Sequence, residues 1–186
     1  RTFNWTLLAL ATGAFGIGVT EFSPMGMLPV IAGGVDVSIP SAGLLVSAYA
    51  LGVMIGAPVM TLLFARFGKR RALMALMAIF TLGNIMSALA PDYWTLLIAR
   101  VVTSLNHGAF FGLGAVVAAS VVPRERQASA VASMFMGLTI ANIGGVPLAT
   151  WIGQHIGWRA AFAGTAVLGV LTIVALALAL PKGAAG

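Results

Sequence analysis

The chain has 186 residues, 60 % hydrophobic and only 8 % charged, with a formal net charge of +6 and no cysteine. A soluble domain carries roughly a quarter charged residues, so this composition excludes a water-exposed globule, and the missing cysteines exclude disulfides and thiolate metal sites. The basic surplus does not mark a nucleic-acid binder, because no basic stripe is interleaved with aromatics.

An outer-membrane β-barrel needs short segments alternating with period two. Runs such as Val167 to Leu180 are apolar on every face, which leaves helices. Six stretches reach the roughly 20 residues that cross about 30 Å of hydrocarbon. The first is predicted over Trp5–Val30 and is expected to stay in the protein rather than be cleaved as a signal peptide. It carries one carboxylate, Glu21, nine residues before its outer end, roughly 13 Å at 1.5 Å per residue. Gly33-Gly34 and Pro40 separate it from the second, Ser41–Phe64. There Gly52 and Gly56 share a face that admits a neighbouring backbone, and Tyr49 is a lone polar group. The third, Ala72–Ala90, follows the basic turn Arg66-Phe-Gly68-Lys69-Arg70-Arg71.

Pro91-Asp92 precedes the fourth, Tyr93–Val122, where Arg100, Ser104, His107 and Phe111 fall on one helical face. Arg100 lies six residues inside Trp94, roughly 9 Å from the outer end and comparable in depth to Glu21. The fifth, Ser129–Trp151, contains Asn142, and its Gly144, Gly145 and Pro147 are expected to thin and bend the helix. Gly157 precedes the sixth, Trp158–Leu180, and His155 is expected at the outer surface. With six spans, Arg1, Arg66, Lys69, Arg70, Arg71, Arg124, Arg126 and Lys182 share one side, while Arg159 lies on the other. By the positive-inside rule both termini are cytoplasmic. The expectation is a multi-pass protein of the cell (inner) membrane: a single six-helix bundle over 1–186 with the lipid bilayer as its partner.

A shift of 89 residues aligns Gly56 with Gly145, Pro58 with Pro147, Thr61 with Thr150, Gly68 with Gly157 and Arg70 with Arg159. Three spans is an odd number, so the second copy is inverted. The chain then reads as two inverted three-helix repeats, about 1–90 and 91–186, a recurring build of secondary transporters.

A charge at the bilayer centre costs from about 2.5 kcal/mol upward and normally faces a bundle interior. Glu21 and Arg100 are therefore expected to line one cavity and to pair, directly or through water. Burial disfavours the Glu21 charge and a nearby guanidinium favours it. Separating the two would then promote protonation, coupling transport to a proton gradient, with His107 as relay or as a substrate hydrogen-bonding group. The competing reading is a fixed ion pair between the first and fourth spans. Phe22, Met25 and Phe110 would form soft walls, with Tyr49, Asn106, Phe111 and Asn142 completing the substrate cavity. The energy source is the proton gradient, with no cofactor. Two histidines without cysteine give no zinc spacing. Asp36 and Asp92 lie in outer loops and no Gly-x-Ser-Gly occurs, so no intramembrane protease, and no enzyme, is expected.

Gly52-Val-Met-Ile-Gly56-Ala-Pro58 followed by Arg66-Phe-Gly68-Lys69-Arg70-Arg71 resembles the signature loop between helices 2 and 3 of the major facilitator superfamily. Arg100 through Asn106-His107-Gly108 resembles that family's fourth-helix motif. Gly137 through Gly144-Gly145-Val146-Pro147, with Gly153 and Gly157-Trp158-Arg159, resembles the fifth-helix motif of its antiporter branch. Val19-Thr20-Glu21-Phe22 with Met25-Gly26 and Pro29 is similar to its drug and sugar exporters. Thr61 and Ala65 stand where the loop motif carries glycine and aspartate, removing the carboxylate of a charge relay, and Ala149 replaces a frequent glycine.

The resemblance implies half of a twelve-helix fold, and proton-coupled export of a small molecule such as a drug or sugar by alternating access. Gly52, Gly56, Pro58, Arg66, Gly68, Arg70, Gly144, Gly145 and Pro147 would be its conformational motifs. It also implies a partner: a second six-helix half, or a second copy of this chain. An uptake symporter and a non-transporting six-helix module are the alternatives.

Overall fold

The computed structural model describes residues 3–181. Arg1 and Lys182, which the charge-side argument also used, lie outside the described residues. The helices are α1 (Trp5–Gly26), α2 (Leu28–Gly34), α3 (Ile39–Leu63), α4 (Lys69–Leu89), α5 (Tyr93–Ser104), α6 (His107–Ser120), α7 (Gln127–Ile140), α8 (Val146–His155) and α9 (Trp158–Ala179). They form six runs long and apolar enough to cross a membrane, with α5–α6 and α7–α8 each making one. No strand occurs among the described residues.

Three of the expected continuous spans are interrupted. The first stops at Gly26, and α2 restarts after Met27 with Pro29 in its opening turn, where the fixed proline φ suits a helix start. The fourth breaks at Leu105–Asn106, where Leu105 N–H donates to Val102 O at 3.2 Å and Asn106 N–H to Thr103 O at 3.4 Å. Ser104 Oγ donates back to Val101 O at 2.6 Å, a local bond that competes with the helical ladder. In the fifth, a π-helical segment, Ala141–Gly145, joins α7 to α8. Val146 N–H reaches back five residues to Ala141 O, just before Pro147, which has no N–H to offer. The expected bend at Gly144, Gly145 and Pro147 thus takes the form of a widened turn.

End-to-end hydrogen bonds show how the spans alternate. On one side Asn4 Nδ2 donates to Val121 O at 3.3 Å, Thr6 Oγ1 to Ala179 O at 3.2 Å, and Arg70 Nη2 to Ala177 O at 2.9 Å. On the other, Arg159 Nη2 donates to Ala90 O at 2.7 Å, Tyr93 Oη to Ser41 O at 2.7 Å, and Gln154 Nε2 to Gly26 O at 3.2 Å. Most of these acceptors are helix-terminal carbonyls without a partner of their own. Asp92, outside the membrane, caps α5 by accepting from Thr95 N–H at 2.8 Å, which holds its carboxyl below the usual range.

Antiparallel α4 and α9 pack along their length, clasped by Arg70 at one end and Arg159 at the other. Leu10 and Ile17 of α1, Leu73, Leu76, Met77 and Phe80 of α4 and Phe110 of α6 are fully buried in the main core. Two seams of small residues bring the remaining spans close. Gly137, Ala141, Gly145, Ala149 and Gly153 recur every fourth residue and are all buried along α7–α8. A methyl added at Gly137 would strike the Ala11 carbonyl of α1, and one at Gly145 would meet Phe15 and Val19. In the second seam, Gly52 and Gly56 of α3 abut Ser104 and Leu105 at the break between α5 and α6. Both seams are the close approaches that a small residue every four positions permits.

Candidate functional site

Arg100 stands in α5 and is 1 % exposed. Its Nη1 donates to Thr20 Oγ1 at 2.9 Å and its Nη2 to Thr20 O at 2.6 Å. The carbonyl is free for this bond because Pro24, four residues on, supplies no N–H to the helix. Thr20 Oγ1 in turn donates to Asn84 Oδ1 at 2.9 Å, and Asn84 Nδ2 donates to Phe80 O at 3.0 Å. The guanidinium carbon lies 4.5 Å from the Tyr49 ring centre and 5.5 Å from that of Phe162, within reach of cation–π attraction. One arginine thereby joins α1, α3, α5 and α9, and through Asn84 also α4.

Glu21 follows Thr20 on α1 and remains 29 % exposed at its side chain. Its partner is His107 at the start of α6, Nε2 to Oε1 3.8 Å. The His107 Nδ1 shares a 3.1 Å hydrogen bond with the Tyr49 hydroxyl. Glu21, His107 and Tyr49 so form a chain across α1, α6 and α3, and the Tyr49 ring lies over Arg100. Of the expected pairing, direct or through water, no direct Glu21–Arg100 contact is present: the guanidinium is turned to Thr20, and the carboxylate lies beside the imidazole. From His107 an aromatic ladder continues to Phe111 at 5.4 Å and from there to Phe135 of α7, stacked at 5.0 Å and 15°.

The other expected cavity residues divide. Phe22 and Phe111 are half-buried and Met25 is 50 % exposed. Asn106 and Phe110 do not line an open cavity: both are fully enclosed. Asn106 Nδ2 faces Met77 Sδ at 3.6 Å, and the Phe110 ring fills the space over Gly13. The stripe expected from Arg100 to Phe111 divides by burial: Arg100 and Ser104 are buried, whereas His107 and Phe111 are partly exposed. Asn142 is exposed and donates back to Leu138 O at 3.0 Å.

Of the conformational residues, Gly68 caps the start of α4 and Arg70 reaches α9. Arg66, Pro58, Gly144 and Pro147 are exposed. His155 is exposed and stacks on Trp151 at 4.7 Å. A separate apolar groove of about 220 Å³ runs between α1, α8 and α9, past Phe15, Val19, Gly145 and Leu168. It contains no ionisable group and is distinct from the Glu21 site.

No site role was expected for Thr20, present only as part of the first-span run, or for Asn84, Phe135 or Phe162. Thr20 had a signal, since Pro24 stands four residues beyond it. Asn84 was a polar residue in an apolar run, and nothing in the spacing pointed to Phe135 or Phe162.

Six antiparallel spans, glycine seams and an isolated carboxylate–imidazole pair in the bundle define a polytopic membrane protein with the architecture of a secondary-transporter half. The sequence matches the Major Facilitator Superfamily over residues 10–185. The inner membrane transport protein YdhP of Escherichia coli (strain K12) is 71 % identical over 183 residues, covering 98 % of this chain and 47 % of that protein. The putative transporter AraJ of the same strain is 41 % identical, covering 91 % of this chain and 43 % of its own length. A probable sugar efflux transporter of Helicobacter pylori (strain HPAG1) is 34 % identical over 91 % of this chain and 43 % of its own. The solved xylose transporter XylE from E. coli superposes with a TM-score of 0.82 at 18 % identity, over 95 % of this chain and 49 % of that one. The chain spans about half the length of the curated relatives it matches. It belongs to the major facilitator superfamily, a family of transporters and not of enzymes.

Proposed function

We propose that this chain forms one half of a proton-coupled exporter of a small organic molecule, working by alternating access. The observation that carries the reading is Glu21: a carboxylate deep in an apolar span, partly open, with the His107 imidazole 3.8 Å away. Carboxylates in that setting mark proton or substrate pathways. The titratable and charged groups facing it are His107 from α6, Tyr49 from α3 and, behind the Tyr49 ring, Arg100 from α5. Protonation of Glu21 removes the negative charge that faces a solute bound beside it; deprotonation restores it. The proton gradient is then the sole energy source and no cofactor takes part.

The family's fold supports the remaining elements of the proposal. The half comprises two inverted groups of three spans, about residues 1–90 and 91–186, and encloses a pathway with a second six-helix half or a second copy of itself. Both termini are cytoplasmic, and the protein resides in the inner membrane, as the name of the YdhP relative states for that protein. Export follows from the resemblance of the fifth span to the antiporter motif and from the relative named as a sugar efflux transporter. Import is the second reading, since a solved neighbour of the same fold is titled a proton:xylose symporter.

Proteoliposomes holding the complete transporter under an imposed pH gradient test the coupling. Glu21→Gln is expected to lower gradient-driven flux at least about tenfold while substrate exchange without a gradient continues, a split between coupling and translocation. Undiminished gradient-driven flux in the variant would remove Glu21 from the coupling step.

A further inference from the structure

We propose that the site takes an organic cation, a protonated or quaternary amine on a ring-bearing apolar body, rather than a neutral sugar. This rests on the reading of Glu21 as facing the transport pathway. The first observation is a charge asymmetry between two residues at comparable depth. Arg100 is 1 % exposed, and its guanidinium is occupied by Thr20 on its edge and by the Tyr49 and Phe162 rings beside it. Glu21 keeps 29 % of its side chain open. A solute reaching this depth from the open face of the half meets a carboxylate and no accessible guanidinium. In a low-dielectric bundle an accessible carboxylate attracts a cation far more strongly than it would in water.

The second observation is the wall leading to that carboxylate. His107, Phe111 and Phe135 are joined by ring contacts of 5.4 and 5.0 Å, and Phe135 is 39 % exposed. Aromatic faces attract cations and exclude none of the apolar bodies that cations carry. The third observation concerns hydrogen bonding. A polyol needs several free donors and acceptors, because each of its buried hydroxyls must be paired. Asn142, the polar side chain expected from the fifth span, is already turned to its own helix and donates to Leu138 O at 3.0 Å. Asn106 and Ser104 are fully buried. This face of the site offers one charge and several rings, and few free partners for a sugar ring.

The test uses a pair of ions of matched shape and opposite charge, tetraphenylphosphonium and tetraphenylborate, with D-xylose as the neutral solute. Binding of radiolabelled phosphonium is measured on the detergent-purified transporter, complete with its second half. The expected result is saturable phosphonium binding that unlabelled phosphonium displaces and that borate and xylose leave in place. Glu21→Gln should weaken it at least about tenfold, Glu21→Asp should recover most of the loss, and Phe111→Leu should weaken it about threefold. No saturable phosphonium binding, or displacement by borate or xylose as effective as by phosphonium, overturns the proposal, and neither result depends on any variant folding. Phosphonium binding that Glu21→Gln leaves intact overturns it as well. Glu21-dependent phosphonium binding without gradient-driven flux would support the cation site while removing the coupling role. Gradient-driven, Glu21-dependent flux of xylose without phosphonium binding would do the reverse.

Discussion

Arg100 and Glu21 were visible in the sequence because apolar spans contain so few ionisable groups. Spacing along a helix gives depth, and the two were correctly placed at comparable depth on antiparallel spans. Depth does not fix which way a side chain turns around its helix, and that is why the expected pair became two separate contacts. Pro24 decided the outcome locally: it frees the Thr20 carbonyl, and a planar guanidinium can take that carbonyl and the Thr20 hydroxyl together. Lysine has the charge without the fork. Thr20→Val leaves Asn84 Oδ1 and one arm of Arg100 without partners, and each such loss costs about 1–3 kcal/mol. Both Thr20→Val and Arg100→Lys should therefore lower the melting temperature in detergent, and Thr20→Ser should not. A Thr20→Val melting curve superimposable on that of the parent would show that the network contributes nothing to stability.

At the level of elements, the close packing of α1 on α7–α8 was legible in part. The sequence pointed to Gly144, Gly145 and Pro147 as the thinned and bent region, and the structure gives them different roles. Gly145 lies in the seam, whereas Gly144 is exposed and has open space where a Cβ would stand. The fourfold spacing from Gly137 to Gly153 encodes the seam, but the π turn that keeps it in phase past Pro147 is a backbone adjustment no residue pattern spells out. A sharp contrast follows. Gly137→Ala places a methyl against the Ala11 carbonyl, which cannot yield without moving α1, and should lower stability and the yield of folded protein. Gly144→Ala should be neutral or stabilising, by up to about 1 kcal/mol from the reduced backbone freedom of the unfolded chain. Thermal denaturation of the two variants side by side checks this, and equal loss in both would mean the seam is looser than described. The break at Leu105–Asn106 was not legible. No proline or glycine stands there; the local competitors with the helical ladder are the bonds of Thr103 to Ala99 O and of Ser104 to Val101 O.

For the whole molecule, the spans, their number and their alternation could be read from length and apolar runs, because crossing hydrocarbon leaves the backbone little choice. Which ends share a side is now seen directly in the hydrogen bonds that tie Asn4 to Val121, and Arg159 to Ala90. Which of those sides is cytoplasmic is proposed from the basic residues, and it can be measured in this half because the chain has no cysteine. In right-side-out vesicles an impermeant maleimide should label Pro91→Cys and His155→Cys. Arg66→Cys and Arg126→Cys should react only after permeabilisation. The opposite pattern would reverse the assigned orientation while leaving the fold untouched.

The clasp between α4 and α9 also bears on the lipid around the protein. Arg70 and Arg159 fasten opposite ends of two antiparallel helices, so neither can slide past the other without losing a cap. The pair behaves as a strut of set length, roughly 31 Å for the 21 residues of α4. A bilayer thinner than that strut cannot be met by shearing the helices, and the half must tilt as one body or thin its surroundings. Acyl-chain length then becomes a lever on the angle between this half and its partner, acting on the transport cycle from outside the binding site.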